Sequence, residues 1–284
     1  MVKVAAVTHT RSDDFFLDLW VKYYSSLVGA ENCYVMLDGD DWECRVDLSS
    51  VNVRVLEGRF YRRTKNDARL SDEHKIIATE LLAEYDYLIK TDCDEFVCVD
   101  PLSGMSFSDV LMQADEHGFI HSLGIDVVER SVSEASIDPT QPIMAQREFG
   151  FMTKVYCKPN IFSRVCEVKA GGHRVRGGAF VLSKNIFMLH LANIDRGMFE
   201  DRAKIRMTES GARSYAPQLE ARRQIFDIAS SDVEPVSLDV AVSEIHDLMA
   251  EKEGFGRFVN GNTMIMGNHP GFLVEFGDRF RDIT

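Results

Sequence analysis

The 284-residue sequence has no run of about 18 apolar residues, so no segment reads as a transmembrane helix. No two of its cysteines (Cys33, Cys44, Cys93, Cys98, Cys157 and Cys166) form a CxxC pair, and a chain this long needs no disulfide staples. A zinc site built from Cys93, Cys98, Cys157 and Cys166 has the wrong spacing for the usual knuckles. The opening residues Met1 to Thr10 lack a long apolar stretch with a small-residue cleavage site and read as a strand. Reduced thiols and a cytoplasmic location are the expectation. An excess of positive charge is also lacking: 32 Lys and Arg against 45 Asp and Glu give a net charge of −13. That field repels a phosphate backbone, so nucleic acid is not an expected partner, and any anion must be held by local basic residues. There is no internal repeat, low-complexity tract or clear linker.

At 45% hydrophobic and 27% charged residues, the chain can bury a sizeable core. Its length suits one large α/β domain with an appendage. Val2 to Val7 is a continuous apolar run that exits into Thr8-His9-Thr10-Arg11-Ser12-Asp13. Phe15, Phe16, Leu19, Trp20, Tyr23, Tyr24 and Leu27 then recur at helical spacing, and Gly29 is placed to stop that helix. Cys33 to Leu37 reads as a second strand ending in Asp38, and the alternating Val51, Val53 and Val55 as a third. A helix carrying Ile76, Ile77, Leu81 and Leu82 precedes a fourth strand, Tyr87 to Thr91, which runs into Asp92-Cys93-Asp94-Glu95-Phe96.

Strands separated by helices imply parallel pairing, and the polar strand exits would gather on one sheet edge where ligands bind. The second half is less regular: a strand at Phe119 to Val128, another at Phe187 to Leu191, and helices from Met198 onward. The reading is one α/β domain over residues 1–210 with a mostly helical extension over residues 211–284.

Asp92 and Asp94 are the strongest chemical signal. On an extended segment, residues two apart face the same side, and two adjacent carboxylates repel unless a cation or proton separates them. Mg²⁺ or Mn²⁺, which prefer oxygen ligands, would bridge such a pair to a nucleotide diphosphate. An acidic turn with no ligand is the plain alternative.

The block Tyr87-Leu88-Ile89-Lys90-Thr91-Asp92-Cys93-Asp94-Glu95-Phe96 resembles the DxDEF element of GT-A glycosyltransferases of the family-2-like group and the related glycosyltransferase 92 family. Phe16 to Tyr24, with its Trp and paired Tyr, then Gly29 and Tyr34 to Asp38, is similar to that group's opening. Residues 1–210 carry the resemblance. It implies a GT-A-like, Rossmann-like mixed and mostly parallel sheet flanked by helices, and a metal-dependent transferase moving a sugar from a nucleotide-diphosphate donor to a glycan or other hydroxyl acceptor. A polysaccharide pathway is implied with it.

By the same match Asp94 ligates the metal, Asp92 contacts the ribose or a metal-bound water, Thr8 and Arg11 lie near the nucleotide, and Asp38 lies near the base. His190, between Leu189 and Leu191, is the candidate late metal ligand, with a satisfied core histidine as its alternative. His173, after Gly171-Gly172, reads as a turn residue open to diphosphate or acceptor.

An inverting transfer, the expected outcome, needs a general base. Asp126, Glu129 and Glu148 are available, and Asp126 is selected for its place on the strand after the motif; Glu95 is expected to face away and bond to backbone. Cations must stabilise the leaving group: Arg202 and Arg206 share a helix face at four-residue spacing, near Arg196 and Lys204. Arg59, Arg62, Arg63, Lys65 and Arg69 form a second basic stretch. The aromatic tail residues Phe255, Phe258, Phe272, Phe276 and Phe280 suit core packing or a homodimer contact. Three alternatives stay open: a haloacid-dehalogenase-like phosphohydrolase, a nucleotidyltransferase, and a binding domain without turnover.

Overall fold

The computed structural model describes residues 2–60, 62–152, 157–168, 172–173, 175–178, 180–210, 212–251 and 271–284. β1 (Val4–Thr10), α1 (Asp14–Val28), β2 (Cys33–Asp38), β3 (Asn52–Leu56), α2 (Arg63–Leu81) and β4 (Tyr87–Lys90) follow the expected order. They build a parallel block in which β4, β1, β2 and β3 lie side by side. Alternation along the strands decides which helix covers which face. Ala6, Cys33, Val35 and Ile89 pack with Phe16, Leu17, Trp20 and Tyr24 of α1. Ala5, Val7, Met36 and Leu88 pack with Leu70, Ile77 and Leu81 of α2. A two-sided sheet of this kind needs apolar residues at nearly every strand position, which is why β1 reads as a run rather than an alternation. Gly29 ends α1 at φ +92°, a backbone state that side chains resist.

The remaining strands are β5 (Glu95–Val99), β6 (Phe119–Val128), β7 (Phe149–Met152), β8 (Pro159–Phe162), β9 (Leu182–Asn193), β10 (Val236–Ser237) and β11 (Phe272–Glu275); the helices are α3 (Phe107–Met112), α4 (Arg196–Ser210), α5 (Ala212–Ala229) and α6 (Leu238–Glu251). The main path of the sheet is β10-β11-β7-β6-β8-β4-β1-β2-β3, and β9 pairs with both β5 and β6. β8 joins β4 and β6 antiparallel, and β5 runs antiparallel to β9. The fold is therefore the expected mixed α/β sheet flanked by helices.

Residues 211–284, read as a mostly helical extension packed on the domain, contribute α5 and α6 and also two short strands: β11 pairs with β7, and Leu238, Ile245, Phe272, Phe276 and Phe280 sit in the same core as Trp20 and Phe96. These three phenylalanines serve the core. Phe255 and Phe258 lie outside the described residues. Val53 and Val55 lie on β3 as expected, and are 45% and 48% exposed because β3 is the edge of the sheet. No helix among the described residues is long and apolar enough to cross a membrane.

The polar handles on α1 fix the segment that carries Asp92 and Asp94. Trp20 Nε1 donates to Thr91 Oγ1 at 2.8 Å. The Tyr24 hydroxyl donates to Glu95 O at 3.1 Å and accepts from Val97 N–H at 2.9 Å, and Tyr23 donates to Val97 O at 2.7 Å. The Tyr24→Phe variant removes one of these hydroxyls from a fully buried site and leaves the Val97 N–H without that acceptor. It should lower stability by about 1–3 kcal/mol, measured by urea denaturation; an unchanged midpoint would contradict this tether.

Candidate functional site

Asp92 and Asp94 do not share a face. Asp92-Cys93-Asp94 forms a turn closed by Glu95 N–H on Asp92 O at 3.1 Å, so the two carboxylates leave it in different directions. Asp92 accepts from Lys158 Nζ at 3.0 Å and lies 3.8 Å from His9 Nδ1. Lys158 also bonds the buried Glu95 Oε1, while Glu95 Oε2 accepts the backbone N–H of Asp92 at 3.0 Å. The expectation that Glu95 bonds backbone holds, with an ion pair added. Burial alone would raise the Asp92 carboxyl, but Lys158, then His9 and Lys90, hold it well below the usual range. Burial and then the Asp92 charge push Glu95 upward.

Asp94 belongs to a second network. Arg202 Nη2 donates to Asp94 Oδ2 at 2.8 Å and to Asp13 Oδ2 at 2.6 Å, with its guanidinium 4.4 Å over the Phe16 ring. His190 Nε2 stands 3.7 Å from Asp94 Oδ2, and His190 Nδ1 is 2.8 Å from Asp126 Oδ1. Adjacent strands create this line: Asp126 on β6 is in register with His190 on β9, and His190 with Glu95 on β5. Burial raises the Asp94 carboxyl, but Arg202, His190, Arg222 and Arg206 together carry it below its ordinary value of 3.8. Arg222 of α5 reaches 3.5 Å from His190 Nε2. Arg206 has no ion-pair partner among the described residues; burial, then Arg202 and Arg222, lower its pKa. Three guanidinium groups therefore crowd around one carboxylate.

The structure thus brings Asp94, His190, Asp126 and Arg202 together and separates Asp92 from them. Asp126 is 0% exposed and lies behind His190, so it reaches a substrate only through the imidazole; the direct base role assigned from sequence does not fit this burial. Its other oxygen has no hydrogen-bond partner among the described residues. Glu129 instead accepts from the N–H of Arg196 at the start of α4, and Glu148 is exposed at the start of β7. Thr8 is inside β1 and fully buried, not at the strand exit, so its hydroxyl does not face a nucleotide. Arg11 does stand at the exit, bonded to Asp38 O at 2.9 Å and to both oxygens of Asp41. The Asp38 carboxylate is held by Asn66 at 2.9 Å and by Arg69, with Arg59 at 3.7 Å, so these two arginines of the basic stretch fold onto this acid. Lys158, Arg222 and His9 are not singled out by sequence. Only the acid and histidine they meet would have pointed to them.

The donor set fits a divalent ion in part. Among the described residues no group of three His, Cys, Asp or Glu assembles to hold a metal, which also leaves the cysteine zinc set unbuilt. Asp94 and His190 do converge, and Asp126 fixes the Nδ1 side of the ring so that Nε2 faces Asp94, the arrangement that presents a histidine to a metal. Mg²⁺-type ions commonly take one or two protein ligands and complete their shell with substrate phosphates. Asp92, tied to Lys158, is outside that pair.

No protein-family model matches this chain. No curated protein matches it either. Among solved structures it is similar to mannose-1-phosphate geranyltransferase from Thermus thermophilus, at 10% identity and TM-score 0.29 over 97% of this chain and 74% of that one. It is also similar to CMP:2-keto-3-deoxy-manno-octonic acid synthetase complexed with CTP, at 11% identity and TM-score 0.27 over 78% of this chain and 87% of that one. Overlaps this slight assign neither substrate nor chemistry.

The sign of the Asp94 shift sets a pH test. A carboxyl depressed in the folded state contributes its stability in full above about pH 3.8 and loses it as pH falls below that value. In wild-type protein the Asp94 carboxyl carbon should titrate below 3.8 by NMR. In Arg202→Met it should move upward, with a stability loss of about 3–5 kcal/mol from the uncompensated charges. A wild-type Asp94 titrating at or above 3.8 would contradict the pairing.

Proposed function

We propose that the chain is a divalent-metal-dependent glycosyltransferase that moves a sugar from a nucleoside-diphosphate donor to a hydroxyl acceptor. The observation that carries this reading is the Asp94–His190–Asp126 line set against Arg202, Arg206 and Arg222. In a protein of net charge −13, three arginines near one acid make a local site for a strongly anionic group.

Asp94 and the Nε2 of His190 would hold Mn²⁺ or Mg²⁺, which supplies Lewis-acid stabilisation of the departing diphosphate. Asp126 keeps the His190 ring oriented and its Nδ1 engaged. Arg206, which has no carboxylate partner among the described residues, is the group available to a phosphoryl oxygen as negative charge develops on the leaving group. Arg202 keeps Asp94 ionised and in place. Arg11 and Asp38, at the exits of β1 and β2, edge the position expected for the nucleoside. Asp92, half exposed and anchored by Lys158, would meet a ribose hydroxyl. The acceptor-side base is not among these buried groups.

The test is thermal unfolding of the full chain with a panel of nucleoside diphosphates, each with Mn²⁺ or with chelator. A ligand at a hundred times its Kd should add about 2.7 kcal/mol of stability, and one nucleotide should do so only with metal. The Arg206→Met variant should fold normally and bind that nucleotide about tenfold more weakly, the worth of one charge-assisted hydrogen bond. No stabilisation by any nucleotide would overturn the reading, and stabilisation unaffected by chelator would remove the metal from it.

A further inference from the structure

A second site lies on the other side of the Asp92 network. Between α2 and the strands β4 and β8 is a cleft of about 310 Å³, open mouth included. Leu88, Phe162 and Ala78 contribute to an apolar floor, and the other lining groups include His74, Lys75, Lys90 and Arg164, with no carboxylate among the described lining residues. In a chain with 45 acidic residues, a cleft whose described lining holds two lysines, an arginine and no acid is a local reversal of charge. His74 is 6% exposed; its Nε2 is 3.0 Å from His9 Nδ1, and its Nδ1 has no hydrogen-bond partner among the described residues. Buried polar atoms are ordinarily satisfied, so an orphan in the wall of a cavity points to an absent partner. Burial keeps the His74 ring neutral at ordinary pH, so it carries one proton.

We propose that this cleft binds a small anion with an apolar body, its charged head among Lys75, Lys90, Arg164 and the Nδ1–H of His74, and its chain on Leu88 and Phe162. Much of this space is open mouth, so the cleft suits a short-chain amphiphile lying partly at the surface rather than an enclosed nucleotide sugar. Binding also fixes a tautomer: with its proton on Nδ1 facing the head group, His74 accepts from the Nδ1–H of His9 through Nε2. His9 in turn neighbours Asp92. The cleft is thus joined to the edge of the proposed catalytic site by two imidazoles, while its occupancy does not depend on what that site does.

The experiment uses octanoate, hexyl phosphate and octanol with the full chain, read by calorimetry and by ¹⁵N NMR of the histidine rings. One of the two anions should bind saturably, which tells a carboxylate head from a phosphate head, and octanol should not. The Nδ1 and Nε2 shifts of His74 should move to those of the Nδ1–H tautomer on binding. Lys75→Glu, an exposed rim change, should weaken the anion about fivefold or more, and Ala78→Phe should abolish binding by filling the cleft. Absence of saturable binding by either anion at millimolar concentration would overturn the proposal. So would binding that both variants leave unchanged, or binding that leaves the His74 ring shifts where they were. Nucleotide binding at the Arg206 site, measured separately, reports on the transferase reading and not on this one.

Discussion

Three carboxylates, Asp94, Glu95 and Asp126, are buried where β5, β6 and β9 meet, and taking charge out of water constrains everything placed around them. Each is matched by a partner brought from far along the chain: Arg202 for Asp94, Lys158 for Glu95, His190 for Asp126. Lys158 must sit at the start of β8, Arg202 on the inner face of α4 and His190 near the end of β9. The second half of the sequence is therefore held to the first by electrostatic need as much as by the shared core.

The opening helix has a second role beyond covering the sheet. Its Trp20, Tyr23 and Tyr24 fill the core with their rings and direct their polar tips to Thr91, Val97 and Glu95. They hold the backbone on both sides of the Asp92-Cys93-Asp94 turn. That turn separates two carboxylates that would otherwise repel, giving one to Lys158 and the other to Arg202 and His190. A rigid turn can therefore offer two neighbouring acids for two tasks, one facing a sugar ring and one facing a diphosphate, in the function proposed for this chain.

The order β1 to β4 was legible because continuous apolar runs and a 3.6-residue repeat leave little choice of element. The face of each residue was less so. Reading Asp92 and Asp94 as extended failed because Asp92 O closes a turn onto Glu95 N–H, an interaction with no side-chain signature. Val53 and Val55 alternate as if half buried, but β3 is an edge strand and its position in the sheet is a tertiary fact. Asp94, His190 and Arg202 were each found by residue type and local pattern; their meeting was not, since 96 and 108 positions separate the latter two from the first. Residues 211–284 read as an appendage because β10 and β11 are too short to show a period, and this hid Arg222.

The central claim is that the two aspartates have separate partners, with Asp94 and not Asp92 paired to His190. Electron paramagnetic resonance of Mn²⁺ with the stabilising nucleoside diphosphate, compared across Asp92→Asn and Asp94→Asn, tests it directly. The account predicts that Asp94→Asn loses the protein-bound Mn²⁺ signal while Asp92→Asn keeps it. Loss in Asp92→Asn with retention in Asp94→Asn would contradict it.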